Sequence, residues 1–312
     1  MLKFRQMIYF STTFVSNHQG IHDLKGSCMN FSIQEVYDVI FKPRINDSLN
    51  NIHYIISLNN PNVACYANAI FQSIVKCSNV RTVFTAKLEM SIIGITVKNY
   101  VLNRKANTIA LRQFAGDEYN SKVTQQDAPQ FFQDLCNKSV SLRSCFEFQL
   151  IRRFKCSESH FITDGFPAME NILILGVPEN YTSNLTLQKL LDFNCVDLLG
   201  PSKVESRNHS CTAISKNKFT METNSKYLVV QLALFSNEII EIRGIQYPRK
   251  LKDILLHNLH KEEVLINKKM YNVSSVFFHH GESAAHGHYT NIIFNNGSWY
   301  SVNDEIIQKN VK

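Results

Sequence analysis

The sequence predicts an α+β fold, because its helical patterns gather early and its strand patterns late instead of alternating. Three early stretches, the last ending at about Leu135, carry apolar residues at helical spacing, while aromatic and β-branched runs dominate from Tyr227 onward. Bulk composition agrees with one large domain: 312 residues, 44% hydrophobic and 19% charged, bury an ordinary core and exclude wholesale disorder.

Taken in order, the first fifteen residues place Lys3 and Arg5 before a short apolar patch that Gln6, Ser11, Thr12 and Thr13 interrupt. With no small-residue cleavage site, this reads as an ordinary buried or frayed N-terminus, not as a signal peptide. Ser32 and Glu35 form a capping box, and Ile33, Val36, Tyr37, Ile40 and Phe41 a stripe, so a helix is expected over 32–41, ended by Pro43. The polar stretch 42–52 is a connector, and residues 1–52 read as an N-terminal extension with one amphipathic helix. Leu58 to Asn62 is loop material, after which Tyr66, Ala69, Ile70, Ser73 and Ile74 share a face of a helix starting at about Cys65. Ala128, Phe131, Phe132 and Leu135 mark a second helix after Thr124, with Pro129 tolerated in its first turn. Strands are expected over 227–235, 271–278, 289–294 and 298–302.

Several function classes drop out. The excess of 33 Lys+Arg over 26 Asp+Glu is mild and scattered, without a basic run that would read as a nucleic-acid arm. The longest apolar stretch, Tyr227 to Phe235, is far short of the roughly 20 residues of a membrane helix. Eight cysteines without paired spacing make no disulfide scaffold, which points to a reducing compartment where a thiol is free for chemistry.

Three segments carry candidate chemistry. Cys65, at the first turn of its helix, meets the positive end of the helix dipole, which favours the thiolate. Asn60, just upstream, offers a side-chain amide of the kind an oxyanion hole uses. In the second segment, Asn296-Gly297 between two strand-like runs is a strong hairpin signal. A two-residue loop sets Asn295 opposite Ser298 and makes His288 and Asn303 diagonal neighbours, so that the amide can orient the imidazole of a general base. A three-residue loop would instead set His288 opposite Asp304, so the orienting residue stays open between the two. His279, His280, His286 and His288 fit no compact zinc spacing. The third segment, Gln125 to Phe132, opens a helix that Asp127 can cap.

Together these segments resemble the ubiquitin-specific protease family of cysteine deubiquitinases. The family's first box is similar to Ser57 through Gln72 around Cys65, and its Q-Q-D box to Gln125 through Phe131. Its final box is similar to Gly287-His288-Tyr289, Trp299 and Asn303-Asp304, and Lys226 to Leu232 looks like its central strand. The resemblance implies a papain-like cysteine protease fold with a helical thumb and antiparallel-sheet palm and fingers. The catalytic domain then spans 53–309, with thumb about 53–145, fingers about 146–235 interleaved with palm, and palm about 236–309. It implies hydrolysis of the isopeptide or peptide bond after the C-terminal glycine of ubiquitin. Cys65 is then the nucleophile, His288 the general base, Asn303 its orienting residue, Asn60 the oxyanion-hole donor and Asp304 an auxiliary. Asp127, Gln130 and Tyr289 are the implied substrate contacts. Ubiquitin and ubiquitinated proteins are the implied partners. No cofactor, nucleic acid or membrane is expected, and a monomer in the cytoplasm, the nucleus or both is.

The chain departs from the family pattern at Ser57, Asn62 and Ala64 in the first box and at Gln130, which stands where the family has glutamate. Of the two Cys-x-x-Cys pairs with which many relatives hold zinc in the fingers, only Cys156 and Cys211 survive, so these are remnants and no metal is expected. These departures motivate two alternatives: a catalytically weak or inactive ubiquitin-binding scaffold, and a protease for a ubiquitin-like modifier.

Overall fold

The computed structural model describes residues 7–12, 55–61, 63–86, 91–156, 162–164, 167–177, 185–194, 204–206, 209–211, 214–222, 226–233, 235–242, 245–250, 263–266, 269–283 and 286–310. The expected helix over 32–41 lies outside them.

Six helices fill the first half of the domain: α1 (Cys65–Lys76), α2 (Ser78–Ala86), α3 (Ile92–Asn103), α4 (Thr108–Ala115), α5 (Ala128–Lys138) and α6 (Val140–Phe146). Helix α1 is the hub, with every residue except Lys76 buried. Its sequence carries apolar residues beyond one stripe because helices pack on one side and a sheet on the other. Asp127 caps α5 by accepting the Gln130 N–H at 3.0 Å, and Pro129 sits in the first turn, where its missing N–H costs nothing.

The strands form a large palm sheet and a smaller fingers sheet. In the palm, β16 (Ile306–Asn310), β15 (Ser298–Asn303), β14 (His286–Asn295), β13 (Lys269–Ser283), β1 (Met7–Thr12), β9 (Tyr227–Ala233) and β5 (Leu173–Gly176) lie side by side in that order. A further strand, β12 (Glu263–Ile266), pairs with β13. The fingers sheet centres on β2 (Phe148–Cys156), which pairs with β3 (Ile162–Asp164), β4 (Ala168–Glu170) and β8 (Ile214–Glu222). Two hairpins, β6 (Val204–Ser206) with β7 (His209–Cys211) and β10 (Phe235–Ile242) with β11 (Ile245–Lys250), share no strand pairing with either sheet.

The central strand β9 is covered on both faces, which explains why it reads as a near-continuous apolar run. Tyr227 and Val229 join the core around α1, whereas Leu228, Val230 and Leu232 join the core under α7 (Leu187–Asn194). Polar contacts fix how α1 lies on the sheet. Ser73 Oγ is 2.6 Å from Ser275 Oγ, and Asn291 Nδ2 donates to Ala69 O at 3.3 Å and to Ser73 Oγ at 3.4 Å.

Two expectations are corrected here. Residues 1–52 are not wholly an extension, because Met7–Thr12 is a strand paired on both sides, with β13 and with β9. A six-residue patch bounded by polar residues carries no periodicity long enough to announce this, and its partners lie more than 200 positions away. The palm is also not purely antiparallel, since β5 runs parallel to β9. That pairing requires a long crossover connection, here one that includes α7 and β8, and not a tight turn.

Candidate active site

The site forms where the N-terminus of α1 meets the β14–β15 hairpin. The hairpin register follows from the Asn-Gly turn. Asn296 and Gly297 take φ of 48° and 73°, the left-handed region that a tight two-residue hairpin loop demands. Asn295 therefore pairs with Ser298 and Asn291 with Val302, which removes the three-residue alternative. His288 Nε2 donates to Asn303 Oδ1 at 2.6 Å, so the amide fixes the tautomer and leaves Nδ1 for the sulfur. The neighbouring Cys65 thiol is the largest of the effects that lift the His288 pKa to about 9. Burial acts against this rise, and Asn303, the Cys65 charge and the Asp304 charge add to it. An imidazole so raised rests as imidazolium beside the sulfur at neutral pH.

Cys65 is only 3% exposed, yet Asn60, Gln125 and His288 around it are each half-buried. Cys65 thus lies at the edge of the core around α1, next to polar side chains that solvent partly reaches. Cys77 is the contrast: burial above all pushes that thiol far up, and its sulfur donates to Ser73 O at 3.6 Å inside the core.

The loop before α1 is held by bonds to distant residues. Asn60 Oδ1 accepts the Ala64 N–H at 2.6 Å, and Asn60 Nδ2 donates one hydrogen to Asp304 Oδ2 at 2.8 Å. The second Nδ2 hydrogen stays available for an oxyanion. Asp304 Oδ1 accepts from Asn68 Nδ2 at 2.8 Å, Asn68 Oδ1 accepts from Thr108 Oγ1 at 2.7 Å, and the Asp304 carbonyl accepts the Leu58 N–H at 3.0 Å. Asp304 reaches the loop because it opens the β15–β16 turn with φ of 50°. Val63, a β-branched residue at φ 54°, is strained in this loop, a conformation tolerated only where surroundings enforce it. The buried Arg112 anchors the loop's other end. Its guanidinium donates to Tyr66 Oη at 2.9 Å and to the carbonyls of Tyr119, Ser121 and Pro61, so that the buried charge is well solvated by protein.

Of the expected substrate contacts, Asp127 is half-buried at the α5 N-terminus, and burial pushes its carboxyl above the ordinary range. Gln130 is exposed, with its amide donating to both Asp134 oxygens at 3.1 and 3.2 Å. Tyr289 corrects its expectation: it is 2% exposed, packs on His279 at 4.7 Å between centroids and accepts the Ala128 N–H at 3.4 Å. It joins α5 to the sheet from inside, as the inward alternation next to an outward His288 requires. Sequence reasoning passed over Gln125, whose Nε2 donates to Cys65 Sγ at 3.6 Å; its place at the head of the Q-Q-D segment was the available signal. Cys156 ends β2 and Cys211 ends β7. Among the described residues no three metal-ligating side chains cluster, and no helix is long and apolar enough to cross a membrane.

A family model described as ubiquitin carboxyl-terminal hydrolase matches residues 56–312. No curated protein sequence matches the chain. Among solved structures, the SAGA Ubp8/Sgf11/Sus1/Sgf73 DUB module bound to ubiquitin aldehyde is similar in fold, with a TM-score of 0.62 at 16% identity over 89% of this chain and 71% of that one. The same module with a cysteine-to-alanine variant of Ubp8, bound to monoubiquitin, gives 0.61 at 16% identity over 89% and 70%. With the cleft, the papain-like fold and the family match on hand, the chain belongs to the ubiquitin carboxyl-terminal hydrolases of the ubiquitin-specific protease type and is a cysteine deubiquitinase.

Proposed function

We propose that Cys65 attacks the carbonyl of ubiquitin's C-terminal glycine in isopeptide or peptide linkage, with His288, Asn303 and Asn60 completing the machinery. The observation that carries this reading is His288 hydrogen-bonded to Asn303 and held close enough to Cys65 for the thiol to be the main influence on its ionisation. The thiolate adds to the carbonyl carbon, and the oxyanion meets the free Asn60 Nδ2 hydrogen and the Cys65 N–H. The latter belongs to a helical first turn whose N–H groups have no intrahelical acceptor. The tetrahedral species collapses as His288 gives its proton to the departing amine, leaving a thioester. Water then loses a proton to His288 and cleaves the thioester, restoring the thiolate.

Asp127 stands where the basic tail of ubiquitin would run, and its half-buried carboxylate would gain about 1.5–3 kcal/mol from a charge-assisted bond to arginine. Gln130 and Asp134 lie on the neighbouring turn of α5, where a second basic group of the tail could reach. The chain acts as a monomer on ubiquitinated proteins in the cytoplasm, the nucleus or both. The unoxidised thiols of Cys65, Cys77 and Cys136 support a reducing compartment.

Ubiquitin carrying a thiol-reactive warhead at its C-terminus tests the reading. A covalent adduct that Cys65→Ala abolishes is expected. Tight binding without an adduct would establish the scaffold instead, and an adduct only with another modifier's probe would reassign the substrate.

A further inference from the structure

We propose that Gln125 is a catalytic residue that donates a hydrogen bond from Nε2 to the sulfur of Cys65 whenever that sulfur carries negative charge. The inference rests on the thiol-protease reading above and adds a role for a residue that reading leaves unused.

The contact is 3.6 Å, an ordinary N–H···S separation given the size of sulfur. Gln125 is held in place from both sides. Upstream, Ser121 Oγ accepts the N–H groups of Val123 and Thr124 at 3.2 and 2.8 Å, and the Ser121 carbonyl is bound by the buried Arg112. Downstream, Gln126 Nε2 donates to Glu118 O at 2.8 Å and Asp127 caps α5. A short polar segment pinned at Ser121, Gln126 and Asp127 leaves Gln125 little freedom except toward the cleft. Its amide therefore approaches the sulfur already oriented, as electrostatic catalysis requires.

The sulfur carries charge twice per cycle. It does so once His288 has taken the thiol proton for attack, and again when the thioester is hydrolysed. In that second step the water oxygen bonds to the carbonyl carbon, its proton passes to His288, and the C–S bond breaks with its electron pair left on Sγ. A donor on Sγ stabilises the departing thiolate, and an amide does this without adding a charge that would compete with His288. Asn60 serves the oxygen of the tetrahedral species, and Gln125 serves the sulfur.

The test measures alkylation of Cys65 by iodoacetamide across pH, mapped to the Cys65 peptide, in wild type, Gln125→Ala and Gln125→Glu. It needs no ubiquitin, so its outcome is separate from whether ubiquitin is the substrate. At pH 6 the Ala variant should react roughly 3- to 10-fold more slowly, because the rate follows the thiolate fraction. The Glu variant, isosteric but without a donor and negatively charged, should be slower still. The rates should converge at high pH, where every thiol is ionised. With ubiquitin substrate, kcat should fall while KM stays near wild type. Superimposed alkylation profiles would overturn the proposal. So would slowing by an equal factor at every pH, which would mean packing, or a rise in KM alone, which would mean tail binding. Unchanged thermal unfolding of the Glu variant guards against misfolding.

Discussion

The two halves of the active site are held by different physics. On the β14–β15 hairpin, His288 and Asn303 are placed by a turn between them: Asn296-Gly297 sets the register, and the bond spans only 15 positions. On the α1 side, Asn60 and Asn68 are placed by Asp304, 244 and 236 positions away. The hairpin needs only its own sequence and a sheet to lean on. The loop before α1 needs the finished fold, and Val63 in a left-handed conformation shows that the fold pushes it there. The difference teaches that one half of a catalytic centre can be locally encoded while the other is imposed from a distance.

The largest expected effect breaks the contact between the halves. Cys65→Ala should abolish turnover and remove the main cause that raises His288. By NMR, the His288 titration should fall from about 9 toward its ordinary 6.5. Because the folded pKa is raised, the protonated imidazole supports stability fully below about 6.5 and that support is lost as pH climbs through about 9. In Cys65→Ala the loss should come at lower pH, as thermal unfolding across pH would register.

Next, the halves can be loosened one at a time. Asp304→Ala leaves Asn60 Nδ2 without its acceptor and Asn68 Nδ2 with only the Asn59 carbonyl, and should cut kcat by up to the ~10²–10³-fold that losing an oxyanion donor costs. Asn303→Ala should cost less than His288→Ala, whose loss removes a general base worth ~10²–10⁴-fold. Hydrogen exchange sharpens the contrast: Asp304→Ala should deprotect the first turn of α1 and spare the β14–β15 amides. If both regions open together, they form one unit and the comparison fails.

The smallest effects lie at the left-handed residues themselves. Gly297→Ala should destabilise the protein by about 1–2 kcal/mol, the cost of a Cβ in that region. Val63→Asn should stabilise it by under about 1 kcal/mol, since Asn accepts such backbone more readily. Thermal melts of the two variants should move in opposite directions.

The α+β class, the start of α1 near Cys65, the capped α5 and the hairpin were legible in the sequence, because each rests on local spacing or turn chemistry. The inward side of Tyr289 was equally readable from strand alternation, but the resemblance drew attention to its place beside His288 instead. The six-residue β1 was not legible, since a short strand is defined by its neighbours β13 and β9 and not by its own pattern. Gln125 was visible as part of a segment, but nothing in its spacing said that its amide would meet a sulfur 60 positions earlier.

By itself, then, the amino-acid order determined which groups could do the chemistry and narrowed the histidine's partner to Asn303 or Asp304, because those relations are short and carried by backbone geometry. Only the tertiary structure decided that Asp304 grips the asparagine loop, that Gln125 faces the thiol and that Met7–Thr12 completes the sheet. Each of those depends on segments far apart in the chain meeting in space. Such meetings follow from the packing of the two cores as a whole, which no single stretch of sequence encodes.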